Sequence, residues 1–238
     1  GSMSVFWRLV LAYYICAVLF YNLTFFAWRD RRPAVAGLVQ FLAYFMVGGA
    51  LTWPYWNLTW PLLGLWEVHC VWCLAAFALF ETVNNKMMVY RSGQQKRHAL
   101  TFVVHDILAL LFILLCSPTH VLYQTGNALA EPWIISAVGV LVVTKMFSVF
   151  IYMVEQDLYG RDYPTIDESF ITMLMRLIFF LIVLLPGWRW VLWFLVWLWA
   201  CRVARRNRLL DFSRFALYFG AFGATAVGFL AKWSFYLQ

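Results

Sequence analysis

Charged side chains are scarce in this sequence. Asp, Glu, Lys and Arg make up 12% of its 238 residues, whereas a soluble domain carries roughly 25%. Hydrophobic residues reach 64%, and a water-soluble fold of this size could not bury that much apolar surface. The scarcity of charge therefore excludes the soluble protein classes.

The sequence also lacks the motifs of common enzyme classes. It has no G-x-S-x-G, no H-E-x-x-H and no phosphate-binding glycine loop. Its five cysteines are odd in number, which argues against a complete disulfide framework. Cys70 and Cys73 have the Cys-x-x-Cys spacing of thiol oxidoreductases, but their apolar neighbours in a predicted helix favour buried free thiols. These residues identify no cofactor, and whether the chain is an enzyme stays open.

Long apolar runs are what the sequence does contain. A helix needs roughly 20 apolar residues to cross about 30 Å of hydrocarbon, and eight runs approach or reach that length. They cover about 5–28, 33–53, 62–84, 99–117, 133–155, 169–186, 188–204 and 212–234. We therefore predict an all-α polytopic transmembrane bundle. Residues 1–3 are interpreted as a cloning scar and the initiator Met, and 4–238 as a single transmembrane domain.

Lys and Arg alternate between the predicted loops. Loops two and four contain neither residue, whereas loops one, three, five and seven are basic. Their basic residues are Arg29, Arg31, Arg32, Lys86, Arg91, Lys96, Arg97, Arg161, Arg202, Arg205, Arg206 and Arg208. Because Lys and Arg are retained on the cytoplasmic side, this pattern predicts cytoplasmic odd loops and external termini, in a bacterial inner membrane. The same pattern explains the net charge of +7 without nucleic acid as a partner.

Several ionisable or polar side chains fall inside the predicted spans. A charge at the centre of a span costs about 3 kcal/mol on insertion scales, so such groups normally face inward, pair or contact water. We expect spans three to six to surround a polar cavity that opens to the cytoplasm. Its candidate residues are Glu81, His105, Asp106, Lys145, Tyr152, Glu155, Glu168 and Arg176.

These residues favour a carrier or channel-like protein for a small polar or anionic solute. Lys145 and Arg176 would supply positive charge, while Asp106, His105 and Glu155 would act as counter-charges or proton acceptors. The remaining candidates would complete the solute site. Asp106 and Arg176 each lie about seven residues into spans that run outward from the cytosol, which predicts an ion pair between them.

Two other classes compete with this hypothesis. A membrane enzyme acting on a lipid or lipid-linked substrate would use His105 and Asp106 for acid–base chemistry. A metal site of Glu81, His105, Asp106 and Glu168 is chemically reasonable, but no recognised ligand spacing supports it, and no metal is assigned. The third class is a non-catalytic oligomeric effector or complex subunit, whose charges only pair.

The last predicted span carries small residues at four-residue intervals. They are Ala216, Gly220, Ala224 and Gly228. Small residues on one face let two helix backbones approach closely. This stripe predicts packing against another helix of the same chain or against a second copy in a homo-oligomer. The other expected partner is the lipid bilayer.

Overall fold

The computed structural model describes residues 3–21, 23–57, 59–62, 66–94, 98–160, 166–210 and 212–236. Contacts group the chain into two compact units, Gly1–Ile134 (unit 1) and Ile135–Gln238 (unit 2). The expected single transmembrane domain over 4–238 stays a prediction. The two units are described in turn.

The described part of the chain is predominantly helical, which confirms the predicted all-α class. The helices of unit 1 are α1 (Ser4–Phe20), α2 (Leu23–Arg31), α3 (Pro33–Leu51), α4 (Cys70–Gln94), α5 (His98–Cys116) and α6 (His120–Thr125). Helix α7 (Pro132–Leu141) crosses the boundary and continues through a π-helical segment (Val142–Met146) into α8 (Phe147–Tyr159). Helices α9 (Ile166–Val183), α10 (Arg189–Arg206) and α11 (Arg214–Tyr236) complete unit 2.

Four helices of the described chain are long and apolar enough to cross a membrane. They are α3, α5, the continuous helix Pro132–Tyr159 and α11. Helix α1 and the Phe170–Val183 part of α9 are apolar but shorter. These lengths and compositions are compatible with an integral membrane protein.

The predicted spans agree with the helices where apolar runs have clear ends. Helix α3 begins at Pro33, as expected, because proline suits the first helical position, where its missing N–H would have no partner anyway. The first predicted span, about 5–28, is wrong in its extent. Helix α1 ends at Phe20, and the chain resumes as the separate helix α2 at Leu23.

The third predicted span, about 62–84, begins too early. Strands β1 (Thr59–Leu62) and β2 (Trp66–His69) pair as an antiparallel hairpin before α4 starts at Cys70. Pro61 is tolerated in β1 because a two-stranded hairpin leaves one side of each strand without a partner strand. Helix α4 then runs to Gln94, so much of the predicted basic loop is helical.

Unit 1 is a bundle of four long helices. Helix α1 packs against α3 and α5, and α4 packs against the same two helices, so that the four close into a ring. Phe77 of α4 and Ile113 of α5 are completely buried in its interior. Several polar side chains share that interior, and they form the candidate site described below.

An arginine joins three segments at one end of unit 1. Arg8 of α1 donates from Nη1 to the carbonyl of Leu51 at 2.8 Å, and its Nη2 lies 3.7 Å from Oε1 of Glu131. Its guanidinium carbon also lies 5.6 Å from the ring centre of Tyr55 and 5.4 Å from that of Trp133. Arg8 therefore ties the start of α1 to the end of α3 and to the segment that leads into α7.

In unit 2, α9 packs against α10, α11 and the π-helical segment. The small residues of α11 are buried at the contact with α9. A Cβ atom placed on Gly228 would lie 2.6 Å from Cγ1 of Val183 and 2.9 Å from the carbonyl oxygen of Phe180. The stripe predicted from the sequence thus packs within the chain, which is one of its two predicted roles.

Candidate functional site

The interior of unit 1 holds a hydrogen-bonded cluster of tyrosine, histidine and aspartate. The Tyr13 hydroxyl lies 3.2 Å from Nε2 of His105 and donates to Oδ1 of Asp106 at 3.1 Å. Tyr14 donates to Oδ2 of Asp106 at 3.4 Å, and the Tyr21 hydroxyl lies 2.5 Å from Nε2 of His105. The two predicted acid–base residues are therefore linked through Tyr13, which touches both.

Glu81 of α4 is the least satisfied polar group of this interior. Its side chain is fully buried, and neither carboxylate oxygen has a hydrogen-bond partner within the described part of the chain. It is close enough to Asp106 for the two carboxyl groups to interact electrostatically. A buried polar group without a partner is unfavourable for folding, so the presence of the Glu81 carboxyl group here points to a role other than stability.

The face of α4 that carries Glu81 also carries two buried asparagines. Asn84 and Asn85 follow at positions i+3 and i+4, which places all three on one side of the helix. Asn84 donates to the carbonyl of His105 at 3.0 Å, and Asn85 donates to the hydroxyl of Tyr44 at 2.6 Å. These bonds fasten α4 to α5 and to α3 around the cluster.

A cavity of about 590 Å³ lies between α2, α3 and α4. Gln40 lines it and is itself buried, one helical turn before Tyr44, which accepts the hydrogen bond from Asn85. Arg29 and Lys86 bring positive charge to its wall, and Asp30 brings one negative charge. Burial lowers the pKa of the Arg29 guanidinium, and the neighbouring Asp30 carboxylate opposes that shift. The cavity thus has a partly desolvated, positively charged wall, and the buried Gln40 adds a polar group to its lining.

Protein-family models, curated proteins and solved structures give no match to this chain. Tyrosine hydroxyls donate and accept hydrogen bonds, and imidazole and carboxyl groups gain and lose protons. The connected groups Asp106, Tyr13, His105 and Tyr21 form a path along which a proton can be held and passed.

The structure separates the predicted site residues into two sets. Glu81, His105 and Asp106 belong to unit 1, whereas the other five belong to unit 2. Those five are Lys145, Tyr152, Glu155, Glu168 and Arg176. The predicted cavity between spans three to six would be lined by residues of both units and stays a prediction, whereas the cavity between α2, α3 and α4 belongs to unit 1 alone.

Arg176 is held by the π-helical segment. It is 1% exposed, and it donates from Nε to the carbonyl of Val143 at 2.8 Å and from Nη2 to the carbonyl of Thr144 at 3.1 Å. The same Nη2 also donates to the hydroxyl of Ser148. The expected pair with Asp106 would join unit 1 to unit 2 and stays a prediction; within unit 2, the carbonyl oxygens of Val143 and Thr144 serve as acceptors for the guanidinium.

The other predicted residues of unit 2 have separate surroundings. Glu155 accepts a hydrogen bond of 2.5 Å from the hydroxyl of Ser213, which in turn accepts from the N–H of Ala216 and caps α11. Lys145 and Tyr152 are half-buried. The side chain of Glu168 lies outside the described residues. Glu155 thus has a structural partner at the start of α11.

No group of three or more His, Cys, Asp or Glu side chains in the described part of the chain is arranged to hold a metal ion. Cys70 and Cys73 are buried free thiols, and the Cys70 thiol donates to the carbonyl of Trp56 at 3.1 Å. Tyr13, Tyr14, Tyr21 and Gln40 were not predicted as site residues. Tyr14 and Tyr21 are seven residues apart on one face of the first predicted span, and that spacing was the available signal.

Proposed function

We propose that this chain is a membrane carrier or channel-like protein that moves a small polar or anionic solute together with protons. The observation that carries the proposal is the Tyr13-linked pair of His105 and Asp106, together with the buried Glu81, which has no hydrogen-bond partner within the described residues. Ionisable chains of this kind inside membrane helices are typical of proton relays in pumps and transporters.

The cavity between α2, α3 and α4 supports an anionic solute. Among the described residues of its wall, Arg29 and Lys86 outnumber the one acidic residue, Asp30, so an anion is attracted to the cavity. An anion that enters a medium of low dielectric constant loses hydration, and a proton that enters with it reduces that loss. Glu81, Asp106 and His105 are the groups that would hold this proton. The role first predicted for Lys145 and Arg176 is not part of this proposal.

The setting we propose is a bacterial inner membrane, with eight spans and both termini external. The alternation of Lys and Arg between loops supports it. Under this topology the cavity between α2, α3 and α4 faces the cytoplasm. The enzyme hypothesis has less support, because His105 is 1% exposed and a catalytic acid or base must touch its substrate.

Proton flux into liposomes tests the proposal. The purified chain is reconstituted with an internal pH-sensitive dye, and uptake is started by adding one of a panel of small anions outside, so that the inward anion gradient drives the accompanying protons; buffer without the anion is the blank. We expect an anion-stimulated flux that Asp106→Asn lowers by roughly 100-fold, since a positioned proton-transfer group contributes about 10²–10⁴ in rate. Glu155→Gln is the matched control and should leave the flux unchanged. Flux no greater than that of empty liposomes for every anion would overturn the proposal.

A further inference from the structure

A second cavity lies in unit 2, where the end of α10 approaches the start of α11. Its volume is about 680 Å³. Four arginines line it, namely Arg202, Arg205 and Arg206 of α10 and Arg214 of α11. Neither the candidate site nor the proposed transport path uses these residues.

Within the described residues, the four guanidinium groups have no neutralising partner. No carboxylate among those residues lines the cavity, and none of them forms an ion pair with these arginines. Arg205 donates from Nε to the carbonyl of Phe212 at 2.9 Å, whereas Arg202, Arg206 and Arg214 are exposed. Four like charges around one space repel each other, and a bound anion would remove that repulsion.

Helix stability and membrane topology do not account for this arrangement. Arg205 and Arg206 suit the end of α10, where the helix dipole favours cations. Arg214 is the first residue of α11, where the same dipole disfavours a cation. Retention of a loop on the cytoplasmic side depends on the number of its basic residues near the spans, not on their convergence on a cavity. The convergence therefore suggests a ligand.

The other residues that line the cavity indicate what kind of anion fits. Trp199 is 67% exposed and Tyr218 is 37% exposed, and both line the cavity. Trp199 lies about one helical turn before Arg202 and so on the membrane side of the arginines under the proposed topology. Aromatic side chains with an apolar body and a polar edge are typical of the membrane interface. The cavity is thus cationic at one end and apolar at the other.

We propose that this cavity binds the phosphate of an anionic phospholipid headgroup. Guanidinium groups match phosphate oxygens in a two-pronged geometry, and basic pockets between cytoplasmic helix ends are suited to anionic headgroups. Arg202, Arg206 and Arg214 contact the phosphate. Trp199 and Tyr218 lie along the glycerol and the first acyl carbons. The site is independent of the proposed transport.

Thermal stability of the detergent-purified full chain during titration with phosphatidylglycerol tests the proposal. The variant Arg202→Gln with Arg206→Gln removes two phosphate contacts but keeps Arg205, which holds the Phe212 carbonyl. We expect the half-saturating lipid concentration to rise about 25-fold, because each arginine near an anionic surface contributes roughly fivefold in affinity. The control, Arg31→Gln with Arg32→Gln, removes the same charge from exposed residues of unit 1 and should change it less than about twofold.

Two further arms identify the source of the phosphate. Phosphatidylcholine of the same chain length should stabilise the protein far less, and inorganic phosphate at equal concentration should not reproduce the effect. Equal stabilisation by phosphatidylcholine, full replacement by inorganic phosphate, or equal loss in the control variant would each overturn the proposal. If the glutamine variant does not fold, Arg202→Lys with Arg206→Lys carries the test. It keeps both charges and loses the two-pronged geometry, so that binding should still weaken.

Discussion

Replacing Glu81 by methionine should make the protein more stable while abolishing proton flux. The carboxyl group is fully buried and neither of its oxygens has a hydrogen-bond partner within the described residues. Leaving a buried polar group unsatisfied costs about 1–3 kcal/mol. Methionine has a similar length and volume, so the substitution leaves little empty space. Removing the carboxyl group also removes its electrostatic interaction with Asp106, which acts in the same direction.

The expected gain is about 2 kcal/mol, and for a chain of this size each kcal/mol shifts the melting temperature by roughly 2–4 °C. Glu81→Met should therefore melt about 4–8 °C higher than the parent protein when both are heated in the same detergent at the same rate. Asp106→Leu is the matched control from the same cluster. It should melt lower, because the hydroxyls of Tyr13 and Tyr14 lose the carboxylate to which they donate.

A lower melting temperature for Glu81→Met would refute this reasoning. It would mean that the carboxyl group has a stabilising partner, such as an ordered water molecule, in the interior of unit 1. A higher melting temperature with unchanged anion-stimulated proton flux would instead separate Glu81 from the proposed transport. The melting temperature and the anion-stimulated proton flux of Glu81→Met together distinguish these outcomes.

Three further predictions concern packing and topology. Arg176→Lys should lower the free energy of unfolding by roughly 2–3 kcal/mol, because an ammonium group cannot reach both π-segment carbonyls in the geometry of a guanidinium group. Thermal melting of this variant and of the control Lys145→Arg measures the loss of stability. An equal melting temperature for the two variants would contradict the prediction. Gly228→Ala should destabilise the protein by about 1–3 kcal/mol, because the added methyl group would overlap Val183 and the Phe180 carbonyl. In the control Gly37→Ala the methyl group meets nothing within 4 Å, so this variant should be neutral or stabilising by up to about 1 kcal/mol. Single cysteines in a cysteine-free background should react with an external impermeant reagent at position 57 and not at position 93; equal external labelling would refute the proposed eight-span topology.

The fold could be predicted wherever one physical signal dominated. Helices α3 and α5 lie within about two residues of the predicted spans because apolar runs of membrane length bounded by proline or charge have few alternatives. The start of α4 was missed because Trp66, Val68 and their neighbours are apolar enough to resemble a span. The strand Trp66–His69 forms because it pairs with Thr59–Leu62, and the hydropathy of one segment alone cannot predict a pairing between two segments.

The candidate site was predicted in its charged members but not in its tyrosines. Glu81, His105 and Asp106 were selected because ionisable groups in an apolar run are unfavourable unless they have a role. Tyr13 and Tyr21 have rings that suit an apolar helix, so nothing in composition separates a tyrosine that packs from one that bridges two ionisable groups. Arg176 was assigned to the solute because it is a charged residue within a predicted span. Its carbonyl acceptors could not be predicted, because every residue has a backbone carbonyl and the sequence does not distinguish one from another.

The π-helical segment between α7 and α8 also sets the register of half a helix. A π-turn closes its hydrogen bond one residue later than an α-turn, so Val142–Met146 accommodates one residue more than a regular helix would. Every residue of α8 is consequently rotated by about 100° relative to an uninterrupted continuation of α7. The guanidinium of Arg176 binds the carbonyls that this turn exposes. The side chain of Arg176, on a neighbouring helix, thus stabilises the extra residue. Deleting a single residue from the segment would remove the π-turn and with it the carbonyl groups to which Arg176 donates.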